Sequence, residues 1–346
     1  MNKVLVFVSS VALAACDVSS IGIDTPATGM PPATAPSAPS DSGPALTADP
    51  AALAASLVCT GDLASQPPAL LVHGTAVSAE ANFSWNYVPA LSTLGYAVCT
   101  VQMPNNGMSD IQDSAEYIVH ALREMNRVSG RKIQVLGHSQ GGMIPRWALR
   151  FWPDTRALVD DLIGFASSNH GTVDSIAFCE APGGCAESFW QQTLGSNFIT
   201  ALNADFETFD EISYTSIYTY LDEIVVPNLP LTADTQSSAL AGGANVTNVA
   251  TQDVCPNNLG EHLALGTYDA VAYAIALDAL THAGPADPAR VPLTVCLEPF
   301  MPGVDPTTFI TDYAAAGMVL GQTVANAVRV PEEPPLKCYV DNSCQP

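Results

Sequence analysis

Short apolar runs alternate with longer stretches of helical period through most of the chain. PALLVHG (68–74) and GYAVCTVQM (95–103) are near-continuous apolar runs of strand length. Without a polar alternation, such runs predict strands covered on both faces. Between Ser109 and Ser129, the residues Ile111, Ile118, Leu122, Met125 and Val128 recur at helical spacing, and Gly130 supplies a stop. A strand at 132–136 and a helix from about Gln140 follow. DLIGFASS (161–168) and TSIYTYLDE (215–223) predict further strands, and GTYDAVAYAIALDAL (266–280) predicts a buried helix. Strands alternating with helices define an α/β class: a mostly parallel sheet with helices on both faces. The stretch 172–202 carries apolar clusters (IAF, SFW, FIT) and reads either as a small helical lid or as core packing.

The ends of the chain follow other rules. MNKVLVFVSSVALAAC has one Lys, an apolar run too short to span a bilayer comfortably, and small residues, the pattern of a secretory signal peptide. Leu13-Ala14-Ala15-Cys16 is similar to a bacterial lipobox, in which Cys16 becomes the lipidated first residue of the mature protein. Residues 17–56 are rich in Pro, Ala, Ser, Thr and Gly, and are expected to be a disordered tether that activity does not need. Residues 57–346 then form one catalytic domain, with no further segment expected to cross a membrane. Export, with attachment to the cell envelope through the lipid alone, is the expected location. Secretion follows if the lipobox is not used.

Charge and cysteine count narrow the functions. With 34 acidic against 11 basic residues, the formal charge is −23. Such a surface repels phosphate backbones and excludes nucleic-acid binding. Nine cysteines leave eight if Cys16 carries lipid, an even number in an oxidising compartment. No C-x-x-C pair and no Cys/His cluster with zinc spacing is present, so disulfides are expected and a metal site is not. Cys179 and Cys185 are close enough in sequence to close a small loop, as are Cys338 and Cys344. No cofactor motif stands out, and a monomer is expected.

The chemistry centres on Gly137-His138-Ser139-Gln140-Gly141. A serine in G-x-S-x-G, placed between a strand and a helix, takes a strained backbone that exposes its Oγ. The flanking glycines let the two elements approach. The hydroxyl needs a base to take its proton and an acid to orient that base. On such a turn the acid and then the base follow the serine in chain order. His73, His138 and His120 therefore drop out, leaving His170, His262 and His282. Asp222, at the end of the 215–221 strand, is the best-placed acid, which disfavours His170. Glu223 is the fallback and Asp253 a distant third. An oxyanion site is expected where HGT follows the first strand and where the N–H of Gln140 opens a helix.

LVHGT, GHSQGG, FWQQTLGS, YLDEIVVP and the Cys255…Cys296 segment together resemble the lipase B family of α/β-hydrolases, over roughly residues 57–346 and in the same order. The resemblance implies Ser139 as nucleophile, Asp222 as acid and His262 as base, with Thr75 and Gln140 as the oxyanion hole. It places His138 and Trp190 at the pocket. His282, in T-H-A-G, looks like the family's D-H-A-G, but the family base precedes the long helix and follows a Cys closely, as His262 does. It further implies the disulfides Cys59–Cys99, Cys255–Cys296 and Cys338–Cys344, with Cys179–Cys185 as an extra bridge. One departure is His138, where the yeast member has Trp. The function implied is hydrolysis of lipid or hydrophobic esters through an acyl-enzyme. Polyester depolymerase or acyltransferase chemistry would use the same triad, and an inactive lipid-anchored binding protein is the reading from another class.

Overall fold

The computed structural model describes residues 42–230, 236–341 and 343. Seven strands form one sheet: β1 (Leu57–Thr60), β2 (Pro68–Val72), β3 (Ala97–Val101), β4 (Ile133–His138), β5 (Val159–Phe165), β6 (Ser213–Tyr218) and β7 (Val246–Ala250). Their spatial order is β1-β3-β2-β4-β5-β6-β7. Every neighbouring pair is parallel except β1 with β3. The expected parallel sheet is therefore present, with an antiparallel strand added at one edge.

The apolar runs behave as their pattern requires. All five residues of β2 are buried. Leu70 and Val72 belong to the core cluster with the helices Ile111–Ser129 and Gln140–Phe151, while Ala69 and Leu71 belong to the cluster on the other side, with Phe83, Tyr87 and Leu91 and the helix Ala270–Thr281. Successive strand residues point to opposite faces, so a strand covered on both sides has no room for a polar position. The helix Ile111–Ser129 starts where the Asp110 side chain accepts from the N–H of Gln112, and it ends at Gly130, whose φ of 63° is open to glycine at little cost. The helix Gln140–Phe151 runs through Pro145.

Three features differ from the sequence reading. First, residues 42–56 belong to the fold. Thr47 and Ala48 donate backbone N–H groups to the Glu116 carboxylate at 2.6 and 2.8 Å, and Trp152 Nε1 donates to the Pro44 carbonyl at 2.8 Å. The helix Pro50–Ser56 follows, capped by Asp49 and burying Leu53. A composition that looks disordered is here held by partners distant in sequence. The signal peptide and Cys16 lie outside the described residues. Second, the predicted strand 215–223 stops at Tyr218, because the chain turns where the Asp222 carboxylate accepts from the N–H groups of Ile224 and Val225. Third, the segment His262–Thr281 is apolar and long enough to cross a membrane. It is instead two helices, His262–Leu265 and Ala270–Thr281, mostly buried against the sheet.

The disulfides Cys59–Cys99, Cys179–Cys185 and Cys255–Cys296 are formed. The first joins directly paired residues of β1 and β3. The Cys338–Cys344 pairing involves Cys344, which lies outside the described residues. Between β5 and β6 the apolar stretch forms three short helices, Asp174–Cys179, Glu187–Gln191 and Asn197–Asn203.

Candidate active site

Thr75 follows β2, Ser139 follows β4 and Asp222 follows β6, while His262 lies beyond β7. All are beyond the carboxyl ends of parallel strands, the edge where such sheets gather functional groups. Ser139 has φ 56° and ψ −125°, a left-handed backbone that a non-glycine residue adopts only when its surroundings enforce it. Its N–H donates to the Phe165 carbonyl at 2.8 Å. The glycines around it are required by contact. A Cβ at Gly137 would lie 1.9 Å from the Gly141 carbonyl oxygen, and one at Gly141 would lie 2.1 Å from that of Val72. Strand and helix can meet here only without side chains.

His262 is buried, with Nδ1 at 3.0 and 3.1 Å from the two carboxylate oxygens of Asp222. Nδ1–H donates there, which leaves Nε2 as the acceptor of the neutral ring. Burial opposes a charge on this ring. The Asp222 carboxylate, its hydrogen bond, and the charges of Glu223 and Glu261 outweigh burial, and the His262 pKa is raised. Glu223 accepts the backbone N–H of His262 at 3.3 Å rather than its ring. Asp253 is engaged with the Tyr220 hydroxyl at 2.9 Å and with the N–H of Ala250. His282 lies at the far end of the helix Ala270–Thr281, with Nδ1 against the carbonyl and carboxylate of Asp278. His170 pairs with Glu207 at 2.9 Å, and its Nδ1 is 2.8 Å from the Gln236 carbonyl.

Ser139, His262, Thr75 and His138 open on one apolar cavity of about 470 Å³. Its walls include Phe178 and Phe189 from the stretch after β5, and Leu320 and Val324 from the helix Phe309–Ala325. Among the described residues, the backbone N–H groups of Thr75 and Gln140 have no protein acceptor. The Gln140 side chain points elsewhere, donating to the Gly107 carbonyl at 3.0 Å.

His138 lines the cavity and is almost wholly buried. Its Nδ1 is 3.1 Å from Asn82 Oδ1, and its Nε2 is 3.1 Å from the His262 carbonyl. Burial first, and then the neighbouring His262, push its pKa down to about 3, so the ring is neutral. It braces the backbone of His262 besides forming a wall. His73 is likewise buried and neutral, its pKa lowered to about 4 by burial, and its ring accepts from the N–H of Met103 at 2.9 Å.

The expectation for Trp190 is corrected. Its indole N–H donates to the Val330 carbonyl at 3.0 Å, and the neighbouring Phe189 takes the cavity wall. The sequence reading also missed the helix Phe309–Ala325 as a wall. The signal was there: an apolar helical run without a polar stripe, lying between Cys296 and Cys338.

A parallel sheet flanked by helices, with a strained serine between β4 and its helix, defines an α/β-hydrolase fold. Residues 66–257 match the family described as lipase (class 2), and the chain belongs to that family. It is 37% identical over 219 residues to lipase B of Pseudozyma antarctica, covering 60% of this chain and 61% of that protein. The chain thus matches less than two thirds of that relative's length. The crystal structure of Aspergillus fumigatus lipase B superposes with a TM-score of 0.78 at 28% identity, covering 88% of this chain and 74% of that one.

Proposed function

We propose that the chain is a serine carboxylic-ester hydrolase acting on lipid or other hydrophobic esters. The observation that carries this reading is the shared cavity: a serine at φ 56° and a histidine paired with a buried aspartate open on one apolar space. In this mechanism His262 Nε2 takes the proton as Ser139 Oγ attacks the ester carbonyl, forming the C–O bond of a tetrahedral intermediate. Asp222 holds the ring in the Nδ1–H tautomer and stabilises the charge it gains. The oxyanion accepts from the N–H groups of Thr75 and Gln140, at the open end of a helix where the dipole favours negative charge. His262 then gives its proton to the leaving alcohol, and water attacks the acyl-enzyme with the same base. The phenyl and aliphatic walls bind the acyl or alcohol part by removing apolar area from water.

Ser139→Ala is expected to abolish hydrolysis of p-nitrophenyl esters and labelling by a fluorophosphonate while leaving the circular dichroism spectrum unchanged. His262→Ala is expected to cost nearly as much, because the groups act as a unit. His282→Ala should retain most activity, and the reverse ranking of the two histidines refutes the assignment of the base. In the cell the disulfides fit an oxidising compartment. The Leu13–Cys16 pattern supports attachment by lipid at Cys16. Mass spectrometry of the mature protein tests this: an unacylated Cys16 removes the anchor.

A further inference from the structure

We propose that the Cys179–Cys185 disulfide is a specificity-determining strut: it ties the aromatic wall of the cavity to the aliphatic one and so limits the width of the ester that reaches Ser139. The inference rests on the ester-hydrolase reading above and adds to it what selects among esters. This bridge is the one that the family resemblance leaves over.

The helix Asp174–Cys179 has six residues, too few to hold their shape without outside contacts. It is fastened at both ends. At its start, the N–H of Val173 donates to the Val226 carbonyl at 3.1 Å, and that of Asp174 to Thr172 Oγ1 at 3.2 Å. Along its length, Ile176 and Phe178 stand exposed. At its finish, Cys179 is buried and bonded to Cys185, which is buried too. Phe178, directly before the bridge, lines the cavity and is 61% exposed, so it stands at the mouth. Its ring stacks with that of Phe189, the centroids 6.2 Å apart.

Cys185 is in turn tied to the second wall. It exchanges two backbone hydrogen bonds with Val330, at 2.7 and 3.2 Å. The Val330 carbonyl also accepts from Trp190 Nε1 at 3.0 Å, and Trp190 adjoins Phe189 on its short helix. Val330 lies shortly beyond the helix Phe309–Ala325, whose Leu320 and Val324 form the aliphatic wall. Arg329, from the same segment, donates to the Phe178 carbonyl at 3.4 Å. Phe178, Phe189 and the aliphatic helix thus meet at one node, and the disulfide is the covalent link in it. The chains approach closely there: a Cβ at Gly184 would lie 1.8 Å from the Val330 carbonyl oxygen. With the bridge in place, Phe178 cannot swing out of the wall. A wall held in place rejects bulk that a yielding wall admits, and a methylene-sized difference at a pocket wall discriminates by about 10–200-fold.

The test measures kcat/KM for p-nitrophenyl butyrate against p-nitrophenyl cyclohexanecarboxylate, bulky in the acyl part, and for ethyl butyrate against cyclohexyl butyrate, bulky in the alcohol part. The proteins are the wild type, Cys179→Ala/Cys185→Ala, Phe178→Ala and the triple variant. Removing the bridge should raise the bulky-to-small ratio about tenfold or more in one of the two series, with p-nitrophenyl butyrate itself changed by less than about threefold. Phe178→Ala should raise the same ratio. In the triple variant the loss of the bridge should add less than about twofold, since there is no ring left to hold. Gly184→Ala pushes Cys185 off Val330 with the bridge intact and should move the ratio in the same direction; it also carries the test if the cysteine variant fails to fold. A merely structural bridge would lower the thermal midpoint and leave both ratios where they are. Unmoved or lower ratios, an equal loss on every ester, or gains that multiply in the triple variant overturn the strut while leaving the hydrolase reading intact. Full activity in Ser139→Ala overturns both.

Discussion

Asp222→Asn separates the role of charge from that of shape. The carboxylate lies 3.0 and 3.1 Å from His262 Nδ1 and also accepts from Ile224 and Val225. An amide can keep its oxygen on those backbone groups, which turns its NH2 toward the ring. Nδ1 must then accept, and the proton moves to Nε2, the atom that should receive the serine proton. Two unit charges 3–4 Å apart interact by about 4–5 kcal/mol at an effective dielectric of about 20. A loss of that size, about 10³–10⁴-fold in kcat, is what the wrong tautomer and the unopposed imidazolium together should produce. The pH dependence gives a second reading. His262 titrates above its ordinary value because Asp222, helped by Glu223 and Glu261, overcomes burial. As base it must be neutral, so wild-type kcat/KM should rise with pH through a midpoint above 6.5. Removing the main charge leaves burial opposed only by Glu223 and Glu261, and the midpoint should move to lower pH. The same raised pKa gives a stability contribution that is fully present below the unfolded value and is lost as pH rises through the folded one. The assay is kcat/KM for a soluble p-nitrophenyl ester from pH 5 to 9, with Glu223→Gln as control. Glu223 accepts the backbone N–H of His262 and acts on the ring only through its charge, a lesser effect than that of Asp222, so its loss should cost less than about fivefold. A fall below tenfold in Asp222→Asn, an unmoved midpoint, or a larger loss in Glu223→Gln refutes the assignment of the acid.

Other variants probe the frame. Gly141→Ala places a Cβ 2.1 Å from the Val72 carbonyl oxygen and should destabilise by about 3 kcal/mol or more in urea melts, whereas Gly317→Ala, in open space within a helix, should stabilise by about 0.5–1 kcal/mol. Asp161 is pushed up from 3.8 to about 7, chiefly by burial and then by Asp160, with Lys132 opposing. The folded state thus holds a proton that the unfolded state releases, and stability should fall as pH rises between those values. Asp161→Asn should remove up to about 4 kcal/mol of this loss, so an advantage that does not grow from pH 4 to pH 8 contradicts the account. Deleting residues 1–51 strips the Glu116 carboxylate of its contacts with Thr47 and Ala48 and should cost about 2–4 kcal/mol; an unchanged thermal midpoint would show that residues 42–51 contribute nothing.

The parts of the fold legible in sequence are those where one local force decides the outcome. β2 to β5 are apolar because both faces are covered, so their runs announce them. β1 and β7 escape notice because edge strands are half exposed: LVCT and VTNVA carry neither a continuous run nor a clean alternation. The segment 42–56 misleads for the opposite reason. Its composition predicts disorder, yet Leu46 packs against the core and Glu116 receives its backbone N–H groups. Composition measures what a segment can bury by itself, and long-range partners lie outside that measure.

The turn that carries the proposed nucleophile is legible because sterics writes it into the chain. With 1.9 and 2.1 Å between a hypothetical Cβ and a carbonyl oxygen, only glycine fits at 137 and 141, and the requirement survives as a motif. The proposed base carries no such local mark. Chain order leaves three histidines, and each of them has a carboxylate neighbour: Glu207 at His170, Asp222 at His262 and Asp278 at His282. What separates them is where β6, β7 and the 251–261 excursion place the rings, and only His262 lies on the cavity that holds Ser139. The family resemblance pointed to His262 because it aligned distant loops, which hydrophobic period cannot do. The same limit explains Trp190 and Phe189. They are adjacent on one short helix, and which of them meets the cavity depends on the helix's rotation. That rotation is tied to a carbonyl at Val330, 140 residues away. Catalytic type is thus encoded at the turn. The orientation of the groups that serve it is encoded in contacts between segments, and it becomes visible only once the sheet has brought those segments together.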